Sequence, residues 1–123
     1  MGQAIANGLL NANEITHNQL VLCDPISDNL TTFEANGSIL AQSPSDLVVA
    51  SDVLILATKP QDMDDALDGI GNENAADCLY ISIAAGLSIS YYQKYLGDQS
   101  RVVRVMPNTP ALVSAGAAAY ALS

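Results

Sequence analysis

Residues able to do chemistry are few in this chain, and they stand directly after apolar segments. Thr58 and Lys59 lie between Ala57 and Pro60. Asn108 and Thr109 lie between Pro107 and Pro110, just past the apolar run ending at Met106. Proline fixes φ and removes a backbone donor, and it restricts the residue before it. Asn108 and Thr109 are therefore expected on a stiff loop past a strand's carboxyl end, where ligands bind in open α/β sheets. A third run, Ser82-Ile83-Ala84-Ala85-Gly86, ends in small residues that let a flat ligand approach the backbone. A bland alternative exists for each loop: a rigid turn and nothing more. Three such loops on one sheet edge are better explained by a bound cofactor. The chemistry they suit is binding and positioning. No residue is a convincing general acid, so no catalytic residue is assigned.

At 123 residues the chain has room for one modest domain, taken as 1–123. It is 50% hydrophobic, enough for a core, and carries 13 acidic against 4 basic residues for a net charge of -9. That balance argues against nucleic acid or an anionic membrane as a partner. The bases are Lys59, Lys94, Arg101 and Arg104, and two of them, Lys59 and Arg104, fall at or near the candidate loops. Cys23 and Cys78 are far apart and lie in or beside strand-like runs, which reads as buried free thiols in a reducing, cytoplasmic compartment. His17, the only histidine, reads as a surface loop residue, so no metal-ligand cluster is expected. The chain shows no secretory leader pattern and no apolar stretch long enough to span a bilayer.

The elements that must position the loops alternate. Apolar runs predict strands over 19–23, 52–57, 78–84 and 101–106, with a short one over 38–41. Unbroken runs such as Asp52 to Ala57 suit strands covered on both faces, as in a parallel sheet. Helices are expected over 1–13, 28–36 with Gly37 as a C′ residue, from the Ser43 cap and Pro44 through Ala50, over 62–67, and from Ser88 to Leu96 before Gly97. Residues 117–122 fit either a strand or the start of a helix. The order implies an α/β fold, a doubly wound parallel sheet with right-handed crossovers. The three loops should then share one edge.

Taken in order, these motifs resemble the pyrroline-5-carboxylate reductase family. The resemblance covers Met1 to Ser123 and rests on Met-Gly with a following Gly-Leu-Leu, on SDVLILATKPQDM, on SIAAGLS and on RVVRVMPNTPALVSAG. It implies a Rossmann-like domain that presents NADPH or NADH to a cyclic imine, in the last step of proline biosynthesis. Ala57, Thr58, Lys59 and Pro60 would line the cofactor's path, with Lys59 acting through backbone as much as charge. Ala84, Ala85 and Gly86 would pass close to the nicotinamide ribose. Asn108, framed by Pro107 and Pro110, would hold the nicotinamide side. The proton for the imine nitrogen would come from water, from a hydroxyl of a second domain, or with the substrate.

The chain departs from the family pattern at both ends. Met1-Gly2 match only the last positions of the G-x-G-x-x-G fingerprint. The first strand and the first two glycines, and the helical C-terminal domain through which the parent would form a homo-oligomer, are expected to lie outside this chain. It is accordingly read as a fragment trimmed at both ends, inactive by itself as an imine reductase. Asp24, at the end of the first predicted strand here, can accept hydrogen bonds from an adenosine ribose and would repel a 2′-phosphate, which favours NAD. It can equally serve only to start a turn with Pro25. Two other readings stay open: a nucleotide-binding module of another Rossmann reductase, and a non-functional truncated fragment.

Overall fold

The computed structural model describes residues 1–71, 77–107 and 118–123. Among the described residues five α-helices and six strands follow one another: α1 Gly2–Asn11, β1 Val21–Leu22, α2 Thr31–Ala35, β2 Ile39–Leu40, α3 Pro44–Val49, β3 Val53–Leu56, α4 Met63–Asp68, β4 Leu79–Ser82, α5 Ile89–Leu96, β5 Arg101–Pro107 and β6 Ala118–Leu122. The architecture is α/β with Rossmann-like alternation. Every apolar run named above holds a strand, but the shorter runs lose their ends to turns. Gln19 is drawn into a 3-10 turn, His17–Gln19, where its side chain accepts the Thr16 N–H at 3.0 Å, so the first strand keeps only Val21–Leu22. The helix expected over 28–36 divides into a 3-10 turn, Ser27–Asn29, and α2.

Local chemistry explains the helix ends. Ser43 accepts the Asp46 N–H at 3.1 Å with Pro44 opening α3, and Ser88 accepts the Tyr91 N–H at 3.1 Å to open α5. Each cap satisfies one of the donors a helix start leaves free. Gly37, at φ +95, follows α2, and its N–H reaches the Glu34 carbonyl at 2.9 Å. That left-handed conformation is open to glycine without penalty.

The sheet departs from the sequence expectation in two ways. It is divided: β1 pairs only with β2, and β3-β4-β5-β6 form a separate four-stranded sheet. Moreover β6, over the segment that fitted either strand or helix, is a strand running antiparallel to β5, with Val103 opposite Leu122 and Pro107 opposite Ala118. The intervening chain, residues 108–117, is shorter than the dozen or so residues a parallel crossover needs. β1-β2 and β3-β4-β5 are parallel, as expected.

The core lies against one face of the larger sheet. Leu54, Leu56, Tyr80 and Val102 point to it, and Met63 and Leu67 of α4 and Tyr92 and Leu96 of α5 pack with them. Burying a side chain such as Leu67 contributes about 1.5–3 kcal/mol. α4 is also seated against α3, where a Cβ on Gly69 would come within 2.9 Å of Pro44. The N-terminal unit contributes only Ala6, Leu30 and Phe33 as buried apolar residues.

Two expectations about single residues are corrected. Cys23 is exposed, while Cys78 is buried as expected. The two-residue β1 ends before Cys23 and leaves it uncovered. His17 is not a free surface residue: it is half-buried in its 3-10 turn, with Nδ1 2.7 Å from Oγ of the buried Ser38.

Candidate cofactor-binding site

Parallel pairing brings the carboxyl ends of β3, β4 and β5 to one edge. Leu56 lies beside Ser82, and Ser82 beside Arg104. The ladder runs one residue past β4, since the Ile83 N–H donates to the Leu56 carbonyl at 3.1 Å. Residues 57–60 and 84–86 therefore leave the sheet side by side. Pro107, at the far end of β5, extends beyond them along the same edge. Asn108 and Pro110, also expected at the site, lie outside the described residues.

Each loop has its own shape. Lys59 is exposed, and its carbonyl accepts the Asp62 N–H at 3.0 Å, closing the 3-10 turn Pro60–Asp62 that leads into α4. Thr58 is half-buried, and Ala57 and Pro60 are exposed. Ala84 is buried, whereas Ala85 and Gly86 are open to solvent. Gly86 has φ +79 with nothing within 4 Å of where a Cβ would stand, so glycine is needed there for its conformation.

Gly2 brings a helix start to the same edge. A Cβ on Gly2 would meet the Ala57 Cβ at 3.0 Å, so a side chain there would crowd the approach of α1 to β3. No side chain caps α1. The N–H groups of a helix start, with the helix dipole, suit an anion such as a pyrophosphate. The shape fits a dinucleotide: a helix start, a glycine that admits close backbone approach, and two loops of small residues beside it.

Asp24 stands apart, beyond the end of β1 in the two-stranded sheet. Its Oδ1 accepts the Ile26 N–H at 2.8 Å and its Oδ2 accepts from Asn29 at 3.1 Å. The carboxylate thus shapes its own turn, and lone pairs remain for a further donor.

The sequence reading missed three features. A polar cleft lies between α1 and the start of α2, lined by Gln3, Asn7, Asp28, Asn29 and Thr32. Gln3 Nε2 donates to the Asn29 carbonyl there at 2.9 Å. In the second, Ser82 and Tyr92, both buried, place their hydroxyls 2.5 Å apart. Burial raises the Tyr92 pKa, and the Ser82 hydrogen bond and the Arg104 charge oppose that rise. In the third, the Tyr91 and Tyr95 hydroxyls donate to the same oxygen of Asp64, at 2.5 and 2.6 Å. These hydrogen bonds hold the Asp64 carboxyl below its ordinary 3.8. No sequence pattern announces them, because each joins residues that meet only across packed elements. Burial raises the Cys78 thiol pKa, and partial desolvation with the nearby Asp24 and Asp46 charges raises that of the exposed Cys23, so neither cysteine is a ready nucleophile near neutral pH. Among the described residues no group of His, Cys, Asp and Glu could hold a metal ion, and no helix is long and apolar enough to cross a membrane.

The pyrroline-5-carboxylate reductase of Methanosarcina acetivorans is 38% identical over 122 residues, which are 98% of this chain and 45% of that protein. The Escherichia coli enzyme of the same name is 33% identical over 117 residues, 94% of this chain and 44% of the relative. The chain therefore spans less than half the length of the relatives it matches. The crystal structure of Plasmodium falciparum pyrroline carboxylate reductase with NADP bound superposes with a TM-score of 0.86 at 32% identity, covering 100% of this chain and 44% of that one. A family model described as NADP oxidoreductase, coenzyme F420-dependent, matches residues 1–86. That match takes in α1 and the first two loops of the shared edge, and the chain belongs to this family of NADP oxidoreductases.

Proposed function

We propose that residues 1–123 are part of the dinucleotide-binding domain of a pyrroline-5-carboxylate reductase, which reduces the cyclic imine 1-pyrroline-5-carboxylate to proline in proline biosynthesis. The observation that carries this reading is the shared edge. The start of α1, residues 57–60 and residues 84–86 converge there, in a chain that resembles those reductases along its whole length. A nicotinamide dinucleotide would supply the hydride when bound. The chain's own residues do the holding. The α1 N–H groups, brought close by Gly2, take the pyrophosphate. Ala57, Thr58, Lys59 and Pro60 line the path, and Ala84, Ala85 and Gly86 admit the nicotinamide ribose. Asn108, between Pro107 and Pro110, serves the nicotinamide side. Asp24 faces the adenosine ribose and biases the choice between NADH and NADPH.

The partners that follow are small molecules, the cofactor and a cyclic imine, with the parent enzyme a homo-oligomer. The surplus of acidic residues supports the exclusion of nucleic acid and of anionic membrane as partners. The two free cysteines support a reducing compartment, the cytoplasm.

Titration with NADPH and NADH, followed by nicotinamide fluorescence, tests the reading. Saturable binding of at least one cofactor is expected, weakened by Gly2→Val, which pushes α1 off Ala57. Absence of binding by both cofactors overturns it.

A further inference from the structure

We infer that Ser82 and Tyr92 are positioning residues, which together hold the 84–86 turn in the conformation that the nicotinamide half of the cofactor needs. The inference rests on the dinucleotide reading above and adds to it two residues that need not touch the cofactor themselves.

Ser82 is the last residue of β4 and is 1% exposed. Its backbone is held in the ladder between Leu56 and Arg104. Its Oγ lies 2.5 Å from Tyr92 Oη and accepts the Ala84 N–H at 3.3 Å. Ala84 is the residue at which the chain leaves the sheet, since the Ile83 N–H is still paired with Leu56. Tyr92 sits in α5, fully buried, with its ring edge-on to Tyr91 at 5.3 Å between centroids. The hydroxyl pair therefore ties the end of β4 to the start of α5, across the loop that carries Ala84, Ala85 and Gly86. Ser88 pins the far end of that loop as the α5 cap.

Stability alone does not call for these hydroxyls. They stand in a mostly apolar core that also holds the Tyr80 hydroxyl, and burying hydroxyls costs free energy that only good hydrogen bonds recover. An alanine with a phenylalanine would fill nearly the same space without that cost, and replacing both partners can be close to neutral. What an apolar pair cannot do is accept the Ala84 N–H. That bond fixes the direction in which the backbone leaves β4, and so where Ala85 and Gly86 stand. Gly86, at φ +79 with open space where a Cβ would stand, brings conformational freedom of its own, and the Ser82 bond to the Ala84 N–H restrains the turn on its β4 side.

The test titrates wild type, Ser82→Ala, Tyr92→Phe and Ser82→Thr with two probes. One is NADPH; the other is 2′-phospho-ADP-ribose, which lacks the nicotinamide. Ser82→Ala is expected to weaken NADPH about tenfold and Tyr92→Phe roughly threefold, the range of one hydrogen bond. All variants should bind the nicotinamide-free probe as wild type does, and Ser82→Thr, which keeps the hydroxyl, should restore NADPH affinity. Amide exchange at Ala84 should quicken in Ser82→Ala and Tyr92→Phe while the Leu54 and Tyr80 amides stay protected. Tyr92→Phe keeps the ring packing and carries the test if Ser82→Ala fails to fold. Unchanged NADPH affinity in the variants, an equal loss for both probes, or unchanged Ala84 exchange overturns the inference and leaves the dinucleotide reading standing. Wild type that binds neither probe overturns both.

Discussion

Leu67 and Phe33 are both buried aromatic or aliphatic anchors on short helices, yet they belong to halves of unlike strength. Leu67 joins a cluster that runs from Val48 to Val102 and draws on α3, α4, α5 and three parallel strands. Phe33 shares its half with Ala6 and Leu30 as buried apolar neighbours, beside a ladder of two residue pairs. Both halves follow the same alternation of helix and strand. The difference is the number of elements over which apolar burial is spread, which governs how cooperatively a region opens. The larger half carries the 57–60 and 84–86 loops on a firm edge. The smaller half carries Asp24 on a turn shaped by its own hydrogen bonds.

Substitution in the two cores probes this contrast with the largest effects. Leu67→Ala is expected to lower the unfolding free energy by about 2–5 kcal/mol, read by urea denaturation. Phe33→Ala should instead speed amide exchange across 20–41 while the amides of 54–56 and 80–82 keep their protection. Equal loss of protection in both halves would mean that they open as one unit.

A smaller effect is expected at the edge of the firm half. Gly86→Ala places a Cβ at a left-handed residue and should cost roughly 1–2 kcal/mol, with weakened NADPH binding. Unchanged stability and affinity would mean that the turn relaxes freely and that the firm edge does not extend to it.

The Asp24 turn should affect selectivity and leave stability nearly alone. A carboxylate about 4 Å from a 2′-phosphate is disfavoured by roughly 1–4 kcal/mol at effective dielectrics between those of water and a protein surface. Asp24→Ser, which retains an acceptor for the Ile26 N–H, should shift the ratio of NADPH to NADH affinity about tenfold toward NADPH. The two titrations on each protein give that ratio, and an unchanged value would make Asp24 a turn residue only.

The smallest effect concerns Asp64, which ties α4 to α5 from outside the core. Its carboxyl is more acidic when folded, so between the folded and unfolded pKa values the folded state binds fewer protons. The stabilisation is complete above the unfolded value and disappears as pH falls through the folded one. Tyr95, pushed up to about 12 by its bond to Asp64, gives the opposite sign: its contribution is present below the ordinary 10.0 and is lost as pH rises through the folded value. Asp64→Asn should therefore be slightly less stable than wild type near neutrality and indistinguishable from it in acid. A gap that persists below the carboxylate range would assign the effect to packing.

By itself the sequence determined the alternation of elements, the strand sites, the caps at Ser43 and Ser88, and the loops after β3 and β4. These are local: an unbroken apolar run, a serine before a helix and a glycine after one act through their immediate neighbours. Tertiary structure decided the rest. The division of the sheet, the antiparallel β6, the exposure of Cys23 and the bond from His17 to Ser38 depend on which segments meet. So does the closeness of Gly2 to Ala57, fifty-five positions away in sequence, where a Cβ added to Gly2 would stand 3.0 Å from that of Ala57. The Ser82–Tyr92 pair belongs with them. Its hydroxyls lie within hydrogen-bonding reach only because α5 packs on the sheet that ends at Ser82, and no residue spacing records that.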